Sequence, residues 1–191
     1  MKLYYKGKFN GDTSTLPKNT DRPNAVMFKE PKSPKKFSVI MNILGFVLLI
    51  ALALIYFWHC GNIDFDKVFV GAILSLLMMV PHEIIHALCC KGNVDLYIYP
   101  KGGSLFILPF EDMSKKQFVI MSLLPNIIFG FIPFTIFLIF PQFEILGAFG
   151  FVSIPSGIGD YMNTFNALTQ MPKGAKTYLK GFNSYWYIPE E

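Results

Sequence analysis

Apolar residues dominate four long stretches of the chain, and most polar residues lie between these stretches. The four stretches are residues 37–58, 67–90, 116–140 and 143–168. Each is long enough to cross a hydrocarbon core of about 30 Å as a helix, so the pattern predicts four membrane-spanning helices. Serine, proline and glycine interrupt the fourth stretch at residues 153–157. Such an interrupted span is tolerated where it faces protein or a water-filled cavity.

The segment between the second and third stretches has a different pattern. Residues 94–99 and 104–108 are rich in β-branched and aromatic side chains, and a Pro-Lys-Gly-Gly turn separates them. This predicts a short β-hairpin. Residues 1–36 and 171–191 are polar and basic, which is typical of tails, although the weak alternation of residues 1–9 indicates a strand there. The expected fold is therefore an all-α polytopic membrane domain over residues 37–170, with one hairpin and a polar tail at each end.

Composition and charge favour a membrane protein over a nucleic-acid-binding one. The chain is 52% hydrophobic and 16% charged, with 20 phenylalanines, more apolar than an ordinary soluble domain. Its net charge of +4 comes from lysines in the connecting segments. If both ends face the cytoplasm, every basic residue except Lys67 lies inside, as the positive-inside rule requires. We therefore expect an integral membrane protein with no nucleic-acid partner, with both termini and the hairpin in the cytoplasm. No cleavable signal peptide is expected, because residues 1–36 lack an apolar segment.

The motif His-Glu-x-x-His occurs at residues 82–86, inside the second apolar stretch. On a helix, His82 and His86 lie on one face, where two imidazoles can bind one metal ion. Glu83 lies beside them, where a general base for hydrolysis is needed. Zn²⁺ is the usual metal for two histidines and a carboxylate. Three polar groups so close together in a span each cost about 2.5–3.5 kcal/mol, and a bound metal would compensate.

Asp160 is the best candidate for a third ligand, because it is the only other acid well inside a predicted span. The helical rise places it about 12 Å from the inner membrane face, the same depth as His82, and Asn126 lies at about 15 Å. Asp160 could instead be a structural carboxylate hydrogen-bonded to Asn126, Asn163 or a serine. The two asparagines are candidates for the site's surroundings or for interhelical hydrogen bonds.

The order of these features resembles a known class of enzymes. The chain is similar to the core of site-2 intramembrane metalloproteases in four features that follow in the same order. These are His-Glu-x-x-His, a hairpin, Pro125-Asn126 and an aspartate in a glycine-containing last span. The small size resembles the bacterial putative zincin peptidase family. This resemblance implies a bacterial cell membrane, zinc bound by His82, His86 and Asp160, and Glu83 as base. It also implies that Asn126 positions substrate or an oxyanion.

The sequence thus predicts a membrane-embedded zinc protease that acts on a peptide or a membrane protein. Two alternatives remain open at this point. One is a non-catalytic membrane protein with a structural metal, for which a fourth protein ligand such as His59 or Cys89 would be expected. The other is a metal-dependent hydrolase of a non-peptide substrate.

Overall fold

The computed structural model describes residues 1–31, 33–62 and 64–190, and in these residues helices and strands alternate along the chain. The helices are α1 (Pro34–Cys60), α2 (Phe65–Leu77), α3 (Met79–Leu88), α4 (Lys115–Asn126), α5 (Ile132–Ile139), α6 (Glu144–Ser156) and α7 (Ile158–Gln170). The strands are β1 (Lys2–Lys8), β2 (Val26–Met27), β3 (Asn93–Tyr99), β4 (Ser104–Pro109), β5 (Met113–Ser114), β6 (Lys176–Lys180) and β7 (Asn183–Tyr187). A π-helical turn, Ile127–Phe131, joins α4 to α5.

The all-α prediction is wrong, because seven strands form two sheets in the described part of the chain. The predicted hairpin is present as β3 and β4, and β1 pairs with β3 in parallel to give a sheet of order β1-β3-β4. The second sheet has the order β2-β7-β6-β5. Both segments expected to be tails therefore contribute strands. Since β3 follows α3, β5 precedes α4 and β6 follows α7, both sheets lie at the same end of the helices.

The prediction of four spans is also wrong. In the described residues, two helical segments, Pro34–Cys60 and Lys115–Ile139, are long and apolar enough to cross a membrane, and a third results if α2 and α3 count as one bent span. The predicted fourth span is divided at Gly157 into α6, which is apolar but short, and α7, which carries Asp160. The membrane association that the sequence predicts is therefore supported, with a smaller number of spans.

Proline explains the bend of 41° between α2 and α3. Pro81 has no N–H group, and its ring would clash with the carbonyl group four residues earlier. That carbonyl belongs to Leu77, the last residue of α2. Pro81 itself lies in the first turn of α3, where a missing N–H group costs little. The bend gives α3 its own direction, and α3 carries the histidine motif.

A buried cluster supports α3 from the side of the sheets. Ala87 and Cys90 pack there with Phe118 and Met121 of α4 and with Phe28 from the N-terminal segment. Phe28 is fully buried, and the adjacent β2 pairs with β7. The N-terminal segment is therefore part of the structure that holds the histidine motif in place.

Candidate metal centre

The two histidines of the motif project from one face of α3, and their ring centroids are 4.7 Å apart. His86 is buried, and its Nδ1 lies 2.7 Å from the main-chain carbonyl oxygen of Met121. A carbonyl oxygen can only accept a hydrogen bond, so Nδ1 carries the proton and donates. In the neutral ring, Nε2 then holds the lone pair. The second nitrogen of a metal-binding histidine is commonly fixed in this way.

Asp160 lies on α7 and faces both imidazoles. Its Oδ2 is 3.1 Å from Nε2 of His82, and its Oδ1 is 3.4 Å from Nε2 of His86. Asn126, at the end of α4, donates from Nδ2 to Oδ2 of Asp160 at 2.8 Å and to the carbonyl oxygen of Ser122 at 3.0 Å. Three separate helices therefore supply the two histidines, the aspartate and the amide that orients it.

Gly157 makes room for this arrangement at the junction of α6 and α7. A Cβ atom at this position would lie 1.6 Å from Oδ1 of Asn126 and 2.5 Å from its Cγ. The backbone here has a negative φ of −85°, so glycine is required for space and not for conformational freedom. The absence of a side chain at Gly157 lets Asn126 reach Asp160.

Two distances between donor atoms are close to those around a tetrahedral zinc ion. Zinc binds imidazole nitrogen and carboxylate oxygen at about 2.0–2.2 Å, which separates neighbouring ligand atoms by about 3.3 Å in a tetrahedron. The two contacts from the histidines to Asp160, 3.1 and 3.4 Å, are close to this value. Two imidazoles and one carboxylate are also a known ligand set for catalytic zinc. The residues present therefore fit the metal.

Glu83 lies close to the two histidines. One carboxylate oxygen of Glu83 and one ring nitrogen from each of His82 and His86 all lie within 4.8 Å of one another. Glu83 makes no direct hydrogen bond to Asp160 among the described residues. These three donor atoms could themselves hold a metal ion. Glu83 takes no part in the two contacts that Asp160 makes to the histidines.

The metal centre opens into a cavity of 630 Å³. His82, Glu83, His86 and Asp160 line one part of it, and every residue of β4 lines another. Residues of α1, among them Asn42 and Gly45, also line the cavity. Within the described part of the chain β4 has one neighbour in its sheet, so the cavity connects the candidate metal centre to a free strand edge.

Of the other residues that the sequence suggested for the site, one borders the cavity and two lie away from it. Asn163 lines the cavity, one helical turn after Asp160. His59 packs against Phe137 near the C-terminal end of α1, and Cys89 lines a separate surface pocket. In residues 1–31, 33–62 and 64–190, neither of the two side chains named as possible fourth ligands borders the cavity.

Two contributors to the site carry no signal in the sequence. Met121 contributes a main-chain carbonyl group, which any residue would supply. Gly157 contributes space, and the chain contains 15 glycines. The Pro125-Asn126 pair was a usable signal, because an asparagine deep in an apolar span needs a polar partner.

Comparison with protein families assigns the chain. Residues 75–176 match the model of a family described as putative zincin peptidase. The chain belongs to this family. The zincin assignment identifies it in general terms as a zinc metallopeptidase, with zinc as the implied metal, and the matched segment contains both histidines, Glu83 and Asp160. Searches of curated proteins and of solved structures each gave no significant match.

Proposed function

We propose that this zincin is a membrane-embedded protease that hydrolyses peptide bonds in or beside the inner half of the bilayer. The observation that carries this proposal is the convergence of His82, His86 and Asp160 at one end of a cavity whose other wall is a free strand edge. A metal centre connected to an edge that can bind a peptide chain suits proteolysis. The position in the membrane rests on the two apolar spans.

The residues around the centre have distinct roles in this proposal. His82, His86 and Asp160 would hold a zinc ion, which would supply Lewis acidity toward the scissile carbonyl group and toward water. Glu83 accepts a proton from the attacking water at its carboxylate and returns it to the leaving amine. Asn126 keeps Asp160 oriented, and the carbonyl group of Met121 keeps His86 in the tautomer that leaves Nε2 free.

Strand β4 is the proposed docking edge for the substrate. A transmembrane helix hides its peptide bonds in its own hydrogen bonds, so a protease must bind it in extended form. Among residues 1–31, 33–62 and 64–190, the sheet order β1-β3-β4 leaves one edge of β4 without a strand partner, and the whole of β4 borders the cavity. An extended peptide can add to such an edge through main-chain hydrogen bonds. The hairpin would then deliver the chain toward the metal centre.

The placement of other side chains favours an open catalytic site over a structural one. Structural zinc sites usually have four protein ligands, whereas catalytic sites keep one position free. The proposed centre has two histidines and one aspartate, and the side chains considered as a fourth ligand, His59 and Cys89, lie elsewhere. Glu83 remains beside the centre for proton transfer.

The test is Glu83→Gln in the full-length protein, purified in detergent and loaded with zinc. We expect the variant to retain zinc and to lose cleavage of fluorescein-labelled casein, an unfolded polypeptide. Asp66→Asn is the matched control, since it also removes a carboxylate from a helix but lies exposed at the start of α2. Cleavage by Glu83→Gln at the rate of the control would refute the proposed base. Zinc binding without casein cleavage by wild type would favour a structural metal or a non-peptide substrate.

A further inference from the structure

Helix α1 carries a single amide group in an otherwise apolar run. Between residues 39 and 55, Asn42 is the only side chain with a nitrogen or oxygen atom. A polar group in a membrane span is costly and usually faces protein or a water-filled cavity. Asn42 therefore needs a physical reason to be in this helix, and its position in the structure supplies one.

Asn42 lines the same cavity as the metal centre. At the helical rise, it lies about 12 Å from the start of α1, while His82 lies about 9 Å from the inner end of α3 and Asp160 about 15 Å from the end of α7. The three residues are thus at similar depths. Gly45, one turn further along α1, fixes this level, because a Cβ atom there would lie 3.2 Å from the carbonyl oxygen of Pro155.

The side chain of Asn42 makes no hydrogen bond within the described ranges 1–31, 33–62 and 64–190; the residue is exposed and lines the cavity. It differs in this from Asn126, which is buried and holds Asp160. A carboxamide offers one acceptor oxygen and two N–H donors. These are the groups that complement a peptide C=O and N–H, and the cavity is the space that the proposed protease would fill with an extended chain.

We propose that Asn42 binds the main chain of the substrate, on the side of the cavity formed by α1. This inference rests on the proposed protease function and deepens it. Substrate would be held between β4 and Asn42 while its scissile bond faces the metal centre. Because both contacts are to the main chain, binding would depend on an extended conformation and not on a particular sequence. Any unfolded polypeptide is therefore a suitable probe.

The experiment compares Asn42→Leu with wild type, using cleavage of fluorescein-labelled casein. Leucine has nearly the same size and is favourable in a membrane helix, so folding and zinc content should be preserved. Loss of one or two uncharged hydrogen bonds should raise KM about five- to tenfold, with kcat changed less. Asn42→Gln, which keeps the amide, should recover part of the loss. Ile43→Ala is the control, because Ile43 lies on α1, is 59% exposed and does not line the cavity.

A binding measurement separates this inference from the proposed function. In the Glu83→Gln background, labelled casein should bind more weakly when Asn42→Leu is added, as read by fluorescence anisotropy. Equal binding and equal KM, with greater thermal stability of Asn42→Leu, would overturn the inference and show that Asn42 faces lipid. Casein binding that depends on Asn42 without cleavage by wild type would instead retain the binding role and refute the protease.

Discussion

Replacing Gly157 by alanine tests the geometry of the metal centre without touching a proposed ligand. The added Cβ atom would lie 1.6 Å from Oδ1 of Asn126, so the amide must move. Asn126 is 1% exposed and is held by Ser122 and Asp160, so it has little room to do so. We expect the hydrogen bond from Asn126 to Asp160 to break, which leaves the third ligand poorly oriented.

Two magnitudes follow from this displacement. Loss of a residue that orients a metal ligand typically lowers metal affinity by about 10–100-fold. Inserting a methyl group into a well-packed site typically costs about 1–3 kcal/mol of stability. The control is Gly159→Ala, one residue before Asp160, where an added Cβ atom would meet nothing within 4 Å. Gly159 lies inside α7, whereas Gly157 is the cap residue between α6 and α7, so only Gly159→Ala gains helix propensity. The comparison of zinc affinities, more than that of stabilities, therefore reports the contact with Asn126.

The assay is zinc affinity by competition with a chromophoric chelator, together with thermal unfolding, for both variants in detergent. A double-mutant cycle with Asn126→Ala makes the test sharper. Once the amide is gone, Gly157→Ala should cost little more, because the Cβ atom then has space. The reasoning is refuted if Gly157→Ala binds zinc as tightly as Gly159→Ala. It is also refuted if the loss in Gly157→Ala is equally large in the Asn126→Ala background.

Three further predictions concern the third ligand, the docking edge and the N-terminal segment. Asp160→Ala should lower zinc affinity by more than about 100-fold, beyond the loss of an orienting residue, whereas Glu144→Ala should leave the zinc content measured by mass spectrometry unchanged. Neighbouring N–H groups of a strand point to opposite edges, so one of Leu105 and Phe106 directs its N–H group to the free edge of β4. The proline substitution at that residue, Leu105→Pro or Phe106→Pro, should abolish casein cleavage with zinc retained. Normal cleavage by both variants would exclude β4 as the docking edge. Burial raises the pKa of Glu30 above its ordinary 4.5, so ionisation destabilises the fold as the pH rises through the raised value. Glu30→Gln keeps a side-chain oxygen that accepts a hydrogen bond from β7. The unfolding temperature of this variant should fall less than that of wild type between about pH 5 and 8. Equal falls of the unfolding temperature in the two proteins would contradict this prediction.

The sequence was most informative where a polar group would be costly. His82, His86 and Asp160 interrupt apolar segments, and the helical rise alone predicts similar depths for them. The structure brings all three together. Asn126 was identified by the same argument, and it contacts Asp160. Local composition also identified the β3–β4 hairpin, because its two strands are adjacent in sequence.

Most of the two sheets could not be predicted, because their strands pair over long distances in the chain. Strand β1 contains three lysines and pairs with β3 about 90 residues later, and β2 has only two residues, which pair with β7. The alternation of residues 1–9 indicates the strand at Lys2–Lys8 but not its partner, and the remaining segments look like polar tails when they are considered alone. The predicted fourth span failed for a different reason. Its division at Gly157 makes room for a side chain from another helix, which hydropathy does not report.

The walls of the cavity differ in how firmly they are packed, and this difference bears on how a substrate reaches the metal centre. Helices α2 and α6 are in close contact, since a Cβ atom at Gly71 would lie 2.5 Å from that of Ala148. In contrast, only 11% of an apolar 18-residue segment of α1 is buried, whereas 39% of the corresponding segment between Lys115 and Ile139 is buried. Passage of a chain between α2 and α6 would have to disrupt that packing. Displacement of α1 would disturb less buried surface and would leave His82 and Asp160 in place. We therefore expect access along the α1 side, where Asn42 is the first amide that an incoming chain would meet.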